Sequence, residues 1–210
     1  VLANLHRIDP LEGLPAFGTS QEMDIVRRWA ETLAVLEPET GSTAGMLAGG
    51  LEAFSAEVPA GRPCVLHRDF YERQFTLGRE GITLMDLDTL AVGDPAVDWG
   101  NFLAHLVLMA LADEVPATEA VESVREALAV YETAAGDLHA SSLRFYWASS
   151  LFRVGAVHVL RTNTRRFSPA LWALAARLLH LGEGWPPAKT KQPDRSGDLP
   201  AWSALIEGVT

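Results

Sequence analysis

The chain has a single cysteine in 210 residues, Cys64, and no lysine before Lys189. One thiol excludes any disulfide within the chain and fits a reducing, cytoplasmic setting. Cys64 lies in the apolar run Pro63-Cys64-Val65-Leu66. It reads as a small core residue, and a Cys64–His67 nucleophile would have nothing beside it to lower the thiol pKa. Long hydrophobic runs are also lacking. The best, Phe102 to Ala112, is too short to span a bilayer and contains His105, so no membrane is expected. No secretory pattern opens the sequence. Positive charge is scarce: 17 basic residues face 27 acidic ones, and the net charge of −10 argues against a nucleic-acid polymer as partner. It suits a cationic small molecule, or simply solubility. The loops G-x-x-x-x-G-K-[ST] and G-x-G-x-x-G are absent, as are paired-cysteine zinc spacing and the G-x-S-x-G elbow.

What is present is length and apolar content sufficient for a folded core. Val1 to His6 looks like the end of a helix. Thr19 and Glu22 have capping-box spacing and open a helix through about Leu36, with Met23, Val26, Ala30, Leu33 and Ala34 on one face. Glu37-Pro38 ends it. A second helix is expected from about Ser42 to Val58, where Gly49-Gly50 either weakens it or admits another backbone. Three short strands follow: Cys64 to His67, Gln74 to Leu77 and Ile82 to Asp86, the last two joined by the turn Gly78-Arg79-Glu80-Gly81. Asp94 can cap the next helix and Pro95 suits its first turn. Helices are expected over Ala96 to Ala112, Ala117 to Ala135, Ala140 to Thr164 and Pro169 to Leu181, then a loop or tail over Gly182 to Pro200 and a short apolar segment, Trp202 to Ile206. The fold class expected is α+β and mostly helical, with a small β hairpin carrying the polar residues.

The chemistry concentrates in His67-Arg68-Asp69-Phe70-Tyr71-Glu72-Arg73-Gln74 and Met85-Asp86-Leu87-Asp88. Asp69 follows a strand on a polar turn, where a carboxylate can orient a hydroxyl and take its proton. Gln74 offers an amide oxygen, and Asp86, a lone charge ending an apolar strand, is costly unless paired or metal-bound. Together they make a site for Mg²⁺ and phosphoryl transfer. Asp88 shares the face of Asp86 if the strand continues, and either binds a second metal or a cationic substrate or is merely solvated. His67 reads as a structural imidazole fixing the loop. Asp98 either accepts backbone amides of that loop or is an ordinary first-turn acid. Arg68 pairs with an acid or, less readily, contacts phosphate. A basic cluster of His158, Arg161, Arg165 and Arg166 is either an anion site or a solvated helix end. Trp147, Phe145, Phe152 and Trp172 fall at helical spacing and are expected in the core.

His67-x-Asp69-x₄-Gln74, Met85-Asp86-Leu87-Asp88 and Gly93-Asp94-Pro95-x-x-Asp98, in this order and spacing, resemble the aminoglycoside phosphotransferase and choline kinase-like family of small-molecule kinases. The resemblance implies a protein-kinase-like C-terminal lobe over residues 1–183, with 184–210 a Pro- and Gly-rich tail. It implies Asp69 as catalytic aspartate, Gln74 and Asp86 as metal ligands, and His67 and Asp98 as supports of the catalytic loop. ATP is the implied donor, Mg²⁺ the cofactor, and a small-molecule hydroxyl, cationic in some members, the acceptor. Gln74 stands where the family usually has Asn, which sets the amide oxygen one methylene further out. Nothing before His67 resembles the nucleotide-gripping lobe, so the chain is expected to be the catalytic lobe of a longer enzyme. A protein kinase is disfavoured: there is no room for an activation loop between Asp86 and Asp94. Antibiotic, amino-alcohol, sugar and amino-acid acceptors all satisfy the reading. So, in other classes, do a kinase-like binding module without turnover and a metal-dependent phosphohydrolase.

Overall fold

The computed structural model describes residues 1–10, 12–79, 81–180 and Trp202. Seven helices among them are α1 (Leu2–His6), α2 (Thr19–Leu36), α3 (Pro38–Ser55), α4 (Ala96–Leu111), α5 (Ala117–Ala135), α6 (Ala140–Val159) and α7 (Ser168–Leu178). The strands are β1 (Ala16–Phe17), β2 (Cys64–Leu66), β3 (Phe75–Gly78), β4 (Gly81–Leu84) and β5 (Ala91–Gly93). The mostly helical α+β expectation is met.

α6 organises the core. Phe145, Trp147, Leu151 and Phe152 have no exposed surface, and the helix is apolar nearly all round, which requires cover on every side. α4, α7, α2 and α3 supply it. The α4 crossing is close because Gly100 has no side chain: a Cβ there would lie 2.4 Å from the carbonyl carbon of Tyr146. Gly100→Ala therefore forces the two helices apart. We expect a loss of about 1–3 kcal/mol, read as a lower midpoint in urea unfolding.

Several local expectations shift. α2 starts from Gly18, whose amide donates to Gln21 Oε1 at 3.0 Å, so the Thr19–Glu22 capping box does not form. Glu22 is instead turned inwards and buried. α3 begins at Pro38, earlier than Ser42, because proline at the first helical position forgoes an amide that would be unpaired there anyway. The close approach between α2 and α3 falls at Gly41, where a Cβ would lie 2.5 Å from the Ala34 Cα; Gly49 faces open space. α6 stops at Val159, short of Thr164. α7 stops at Leu178, short of Leu181; the tail Gly182 to Pro200 and most of the Trp202–Ile206 segment lie outside the described residues. Trp202 itself packs edge-on against Trp147, with ring centroids 6.2 Å apart.

β5 is the middle strand of a small sheet, parallel to β1 and antiparallel to β2. The separate β3–β4 hairpin pairs Phe75 with Leu84 and closes with Gly78 opposite Gly81, whose φ of 118° needs glycine. Both structures end at one place. β2 delivers His67, β3 starts just after Gln74, β4 stops just before Asp86, and β5 leads through Asp94 into α4. Asp94 Oδ1 accepts from the Ala96 amide at 2.8 Å, which starts that helix.

Candidate active site

The chain turns immediately after β2, and Asp98 in the first turn of α4 holds the turn. His67 N donates to its Oδ2 at 2.8 Å and Arg68 N to its Oδ1 at 2.6 Å. Arg68 has φ 71°, a left-handed conformation that costs a side-chain-bearing residue about 1–2 kcal/mol; the short bond from its amide offsets that cost. Its guanidinium does not reach towards Asp69 but stacks over the Phe17 ring at 4.0 Å. A third donor reaches Asp98: His6 Nε2 lies 3.0 Å from Oδ2, and His6 Nδ1 lies 2.8 Å from the Tyr131 hydroxyl. Burial pushes that hydroxyl well above its ordinary pKa, so it keeps its proton. Asp98 is wholly buried, and this set of donors is what makes its charge tolerable.

His67 is committed on both ring nitrogens. Nε2 lies 2.7 Å from the Met85 carbonyl and so donates; Nδ1 accepts from the Asp69 amide at 3.3 Å. Thr89 Oγ1 donates to the His67 carbonyl at 2.6 Å. One buried imidazole thus ties the loop bearing Asp69 to the segment bearing Asp86.

Asp69, Gln74 and Asp86 converge. Gln74 Nε2 donates to Asp69 Oδ2 at 3.0 Å and stands 3.4 Å from Asp86 Oδ2. The nitrogen must face them, because an amide oxygen there would meet two carboxylates with no proton to share. Gln74 belongs to a 3₁₀ turn (Glu72–Gln74), not to β3, and is buried. Asp86 lies beyond β4 with φ 55°, and this left-handed residue ends the strand direction. The alternation that put Asp88 on the Asp86 face therefore fails: Asp88 sits in a 3₁₀ turn (Leu87–Thr89), exposed to solvent.

Among the described residues no three His, Cys, Asp or Glu side chains gather as a metal centre. The candidate donors are two carboxylates and one amide. They fit a hard divalent cation, since every donor is oxygen, and the polarised N–H of Gln74 already marks the position between the carboxylates as one that attracts positive charge. Cys64 offers no alternative chemistry. Burial, and next the nearby Asp98 charge, push its thiol up to about 12.

A second network, not read from the sequence, anchors the other side of the loop. Asn101 Nδ2 donates to the Phe70 carbonyl at 3.2 Å, and Arg153 bonds Asn101 Oδ1 at 3.3 Å, Ser150 Oγ at 3.0 Å and Glu22 Oε1 at 2.8 Å. These residues join α2, α4 and α6 beneath a cleft of about 480 Å³. Asp69 lines the cleft and Asp88 does not. Ile25, Trp29, Tyr71, His105, Leu108 and Val157 line it as well. The basic cluster divides. His158 and Arg161 line the cleft, Arg165 pairs with Glu37, and Arg166 lies over the Phe167 ring.

His105 stacks on Tyr71, with centroids 4.4 Å apart. Burial, then the charges of Arg153, His158 and Arg73, pushes its pKa from the ordinary 6.5 down to about 4. Between those values the unfolded chain binds a proton that the folded one refuses. Stability is therefore unaffected by His105 above pH 6.5, falls as pH drops towards 4, and levels off below. We expect His105→Phe, which keeps a ring against Tyr71, to flatten this part of the melting temperature–pH curve.

With this geometry the comparisons with known proteins are informative. The model of the phosphotransferase enzyme family matches residues 1–136, a span that holds His67, Asp69, Gln74, Asp86 and Asp98. The chain belongs to that family. No curated protein matches the sequence. Among solved structures, a choline/ethanolamine kinase family protein from Mesorhizobium loti superposes with TM-score 0.56 at 15% identity, covering 95% of this chain. That likeness is one of fold. The chain spans 62% of that structure's length. All of α6, which gives Arg153, Val154, Val157 and His158 to the cleft, and all of α7 lie beyond the family match.

Proposed function

We propose that this family member is an ATP- and Mg²⁺-dependent phosphotransferase that moves the γ-phosphoryl group to a hydroxyl of a small molecule. The observation that carries this is the meeting of Asp69, Gln74 and Asp86, from two different turns, with Asp69 also lining the cleft. Asp69 orients the acceptor hydroxyl and takes its proton as the new bond forms. Asp86 and the amide oxygen of Gln74 would hold Mg²⁺, which supplies neutralisation of charge on the phosphates. His67 and Asp98 keep the two carboxylates in register through the backbone. Trp29 and the Tyr71–His105 pair provide flat apolar walls that position the acceptor and exclude water. A cytoplasmic location, where nucleoside triphosphate is abundant, is part of this proposal.

One observation favours a second reading, a binding module without turnover. Gln74 presents its nitrogen, not its oxygen, to the carboxylates, and so occupies the position that a cation needs. ADP release measured with and without a panel of hydroxyl acceptors separates the readings. The phosphotransferase gives acceptor-dependent ADP and a phosphorylated acceptor. Inorganic phosphate without acceptor would indicate a phosphohydrolase, and no nucleotide binding at millimolar concentration by the full-length protein a binding module.

A further inference from the structure

We propose that the acceptor carries a zwitterionic head of the α-amino-acid type at the end opposite its reacting hydroxyl, its carboxylate received by Arg161 and its ammonium by Glu114. The orientation, hydroxyl towards Asp69, rests on the function proposed above.

The cleft is a trough between one face of α4 and one face of α6. On the α6 side Arg153, Val157 and Arg161 recur every four residues, and Asn101 and His105 do the same on α4. The bond between Asn101 and Arg153 fixes the end beside Phe70 and Asp69. His105, one turn beyond Asn101, lines the cleft together with Val157 and His158, one turn beyond Arg153. At 1.5 Å per residue, α6 runs about 9 Å from Arg153 to its end at Val159, and Arg161 follows in a turn whose amide bonds back to the His158 carbonyl. Glu114, past the last turn of α4, and Arg161, past the last turn of α6, both line the cleft.

Formal charge in the cleft balances. Asp69, Glu72 and Glu114 face Arg73, Arg153 and Arg161. Four of these are already engaged: Arg153 with Glu22, Arg73 with Glu72 at 3.4 Å, and Asp69 with Gln74. Arg161 and Glu114 remain, and among the described residues neither has an ion-pair partner within 4.0 Å. His158 does not compete with Arg161 for an anion. Burial and the Arg161 charge lower its pKa, and Nδ1 is tied to Thr164 Oγ1. One unpaired guanidinium and one unpaired carboxylate, each just past the end of a cleft helix, complement one negative and one positive group. A polycation would need several unpaired carboxylates, and the cleft does not offer them. The separation from Asp69 demands a body between hydroxyl and head, and the aromatic walls accept a flat one.

The test uses the full chain and three probes of one shape: para-hydroxymethyl-phenylalanine, its deaminated acid and its decarboxylated amine. Calorimetry should find the amino acid bound about ten-fold more tightly than either truncated probe. Arg161→Gln should erase its advantage over the amine, and Glu114→Gln its advantage over the acid. Both side chains are exposed, so melting temperatures should match the wild type. The proposal is overturned if the amino acid fails to bind at millimolar concentration, binds no better than the truncated probes, or keeps its advantage in Arg161→Gln. Asp69→Asn should preserve the binding order. That order without any phosphorylated product would sink the phosphotransferase reading and leave this one standing.

Discussion

Asp69→Asn should lower turnover by about 10²–10⁴-fold, the range for losing a positioned general base, with the melting temperature close to that of the wild type. Asparagine keeps the shape and can still accept the hydrogen bond from Gln74 Nε2 through its remaining oxygen. It cannot take a proton from the acceptor. Asp69 is half-buried at the cleft and is not part of the apolar core, so the fold should tolerate the change. Turnover with a saturating acceptor, beside a melting curve, gives the answer. A variant that retains the wild-type rate would remove Asp69 from its assigned role.

Asp98→Ala should be the most damaging single change to stability, costing about 3–5 kcal/mol, as expected when one partner of a buried charged network is deleted. Two backbone amides and the His6 imidazole would lose their acceptor in a place with no water to replace it. Against a typical total stability of about 5–15 kcal/mol, this brings the protein near its limit. Asp98→Asn keeps one carbonyl oxygen, so it should cost less but still release either His67 N or Arg68 N. Urea unfolding of the two variants checks the order. A loss within 1 kcal/mol for Asp98→Ala would mean that the loop is held by other contacts.

The motif from His67 to Asp98 was legible because its residues act close to where they stand in the chain. Asp69 and Gln74 are five residues apart, and the short apolar strand before them fixes where the turn falls. The helices were legible from their apolar spacing, with errors at the ends, where capping chemistry decides. Glu22 illustrates the limit. Its spacing from Thr19 fits a cap, but its partner is Arg153, 131 residues away. His6 meets Asp98 across 92 residues and Arg153 meets Asn101 across 52. No periodicity in a single sequence encodes such pairings. β1 and β5 escaped notice because strands of two and three residues are too short to show alternation. The condition set on Asp88, that the strand continues past Asp86, fails for a related reason. The left-handed turn at Asp86 is a backbone choice that nothing in Met85-Asp86-Leu87-Asp88 announces, and one such residue reorients everything after it.

The cleft shows the same division. That a pocket would adjoin Asp69 follows from the role given to it. The charges lining the pocket do not follow from the overall −10, because ion pairs cancel most of them locally and only the folded chain shows which ones.

The central claim is that Asp69, Gln74 and Asp86 gather one divalent cation. Titration of the full chain with Mn²⁺ as a paramagnetic stand-in for Mg²⁺, followed by water-proton relaxation, tests it without requiring turnover. The account predicts a saturable site in the wild type that weakens by about ten-fold or more in Asp86→Asn, in line with the loss of a metal-bound carboxylate. Identical titrations for the two proteins would contradict it.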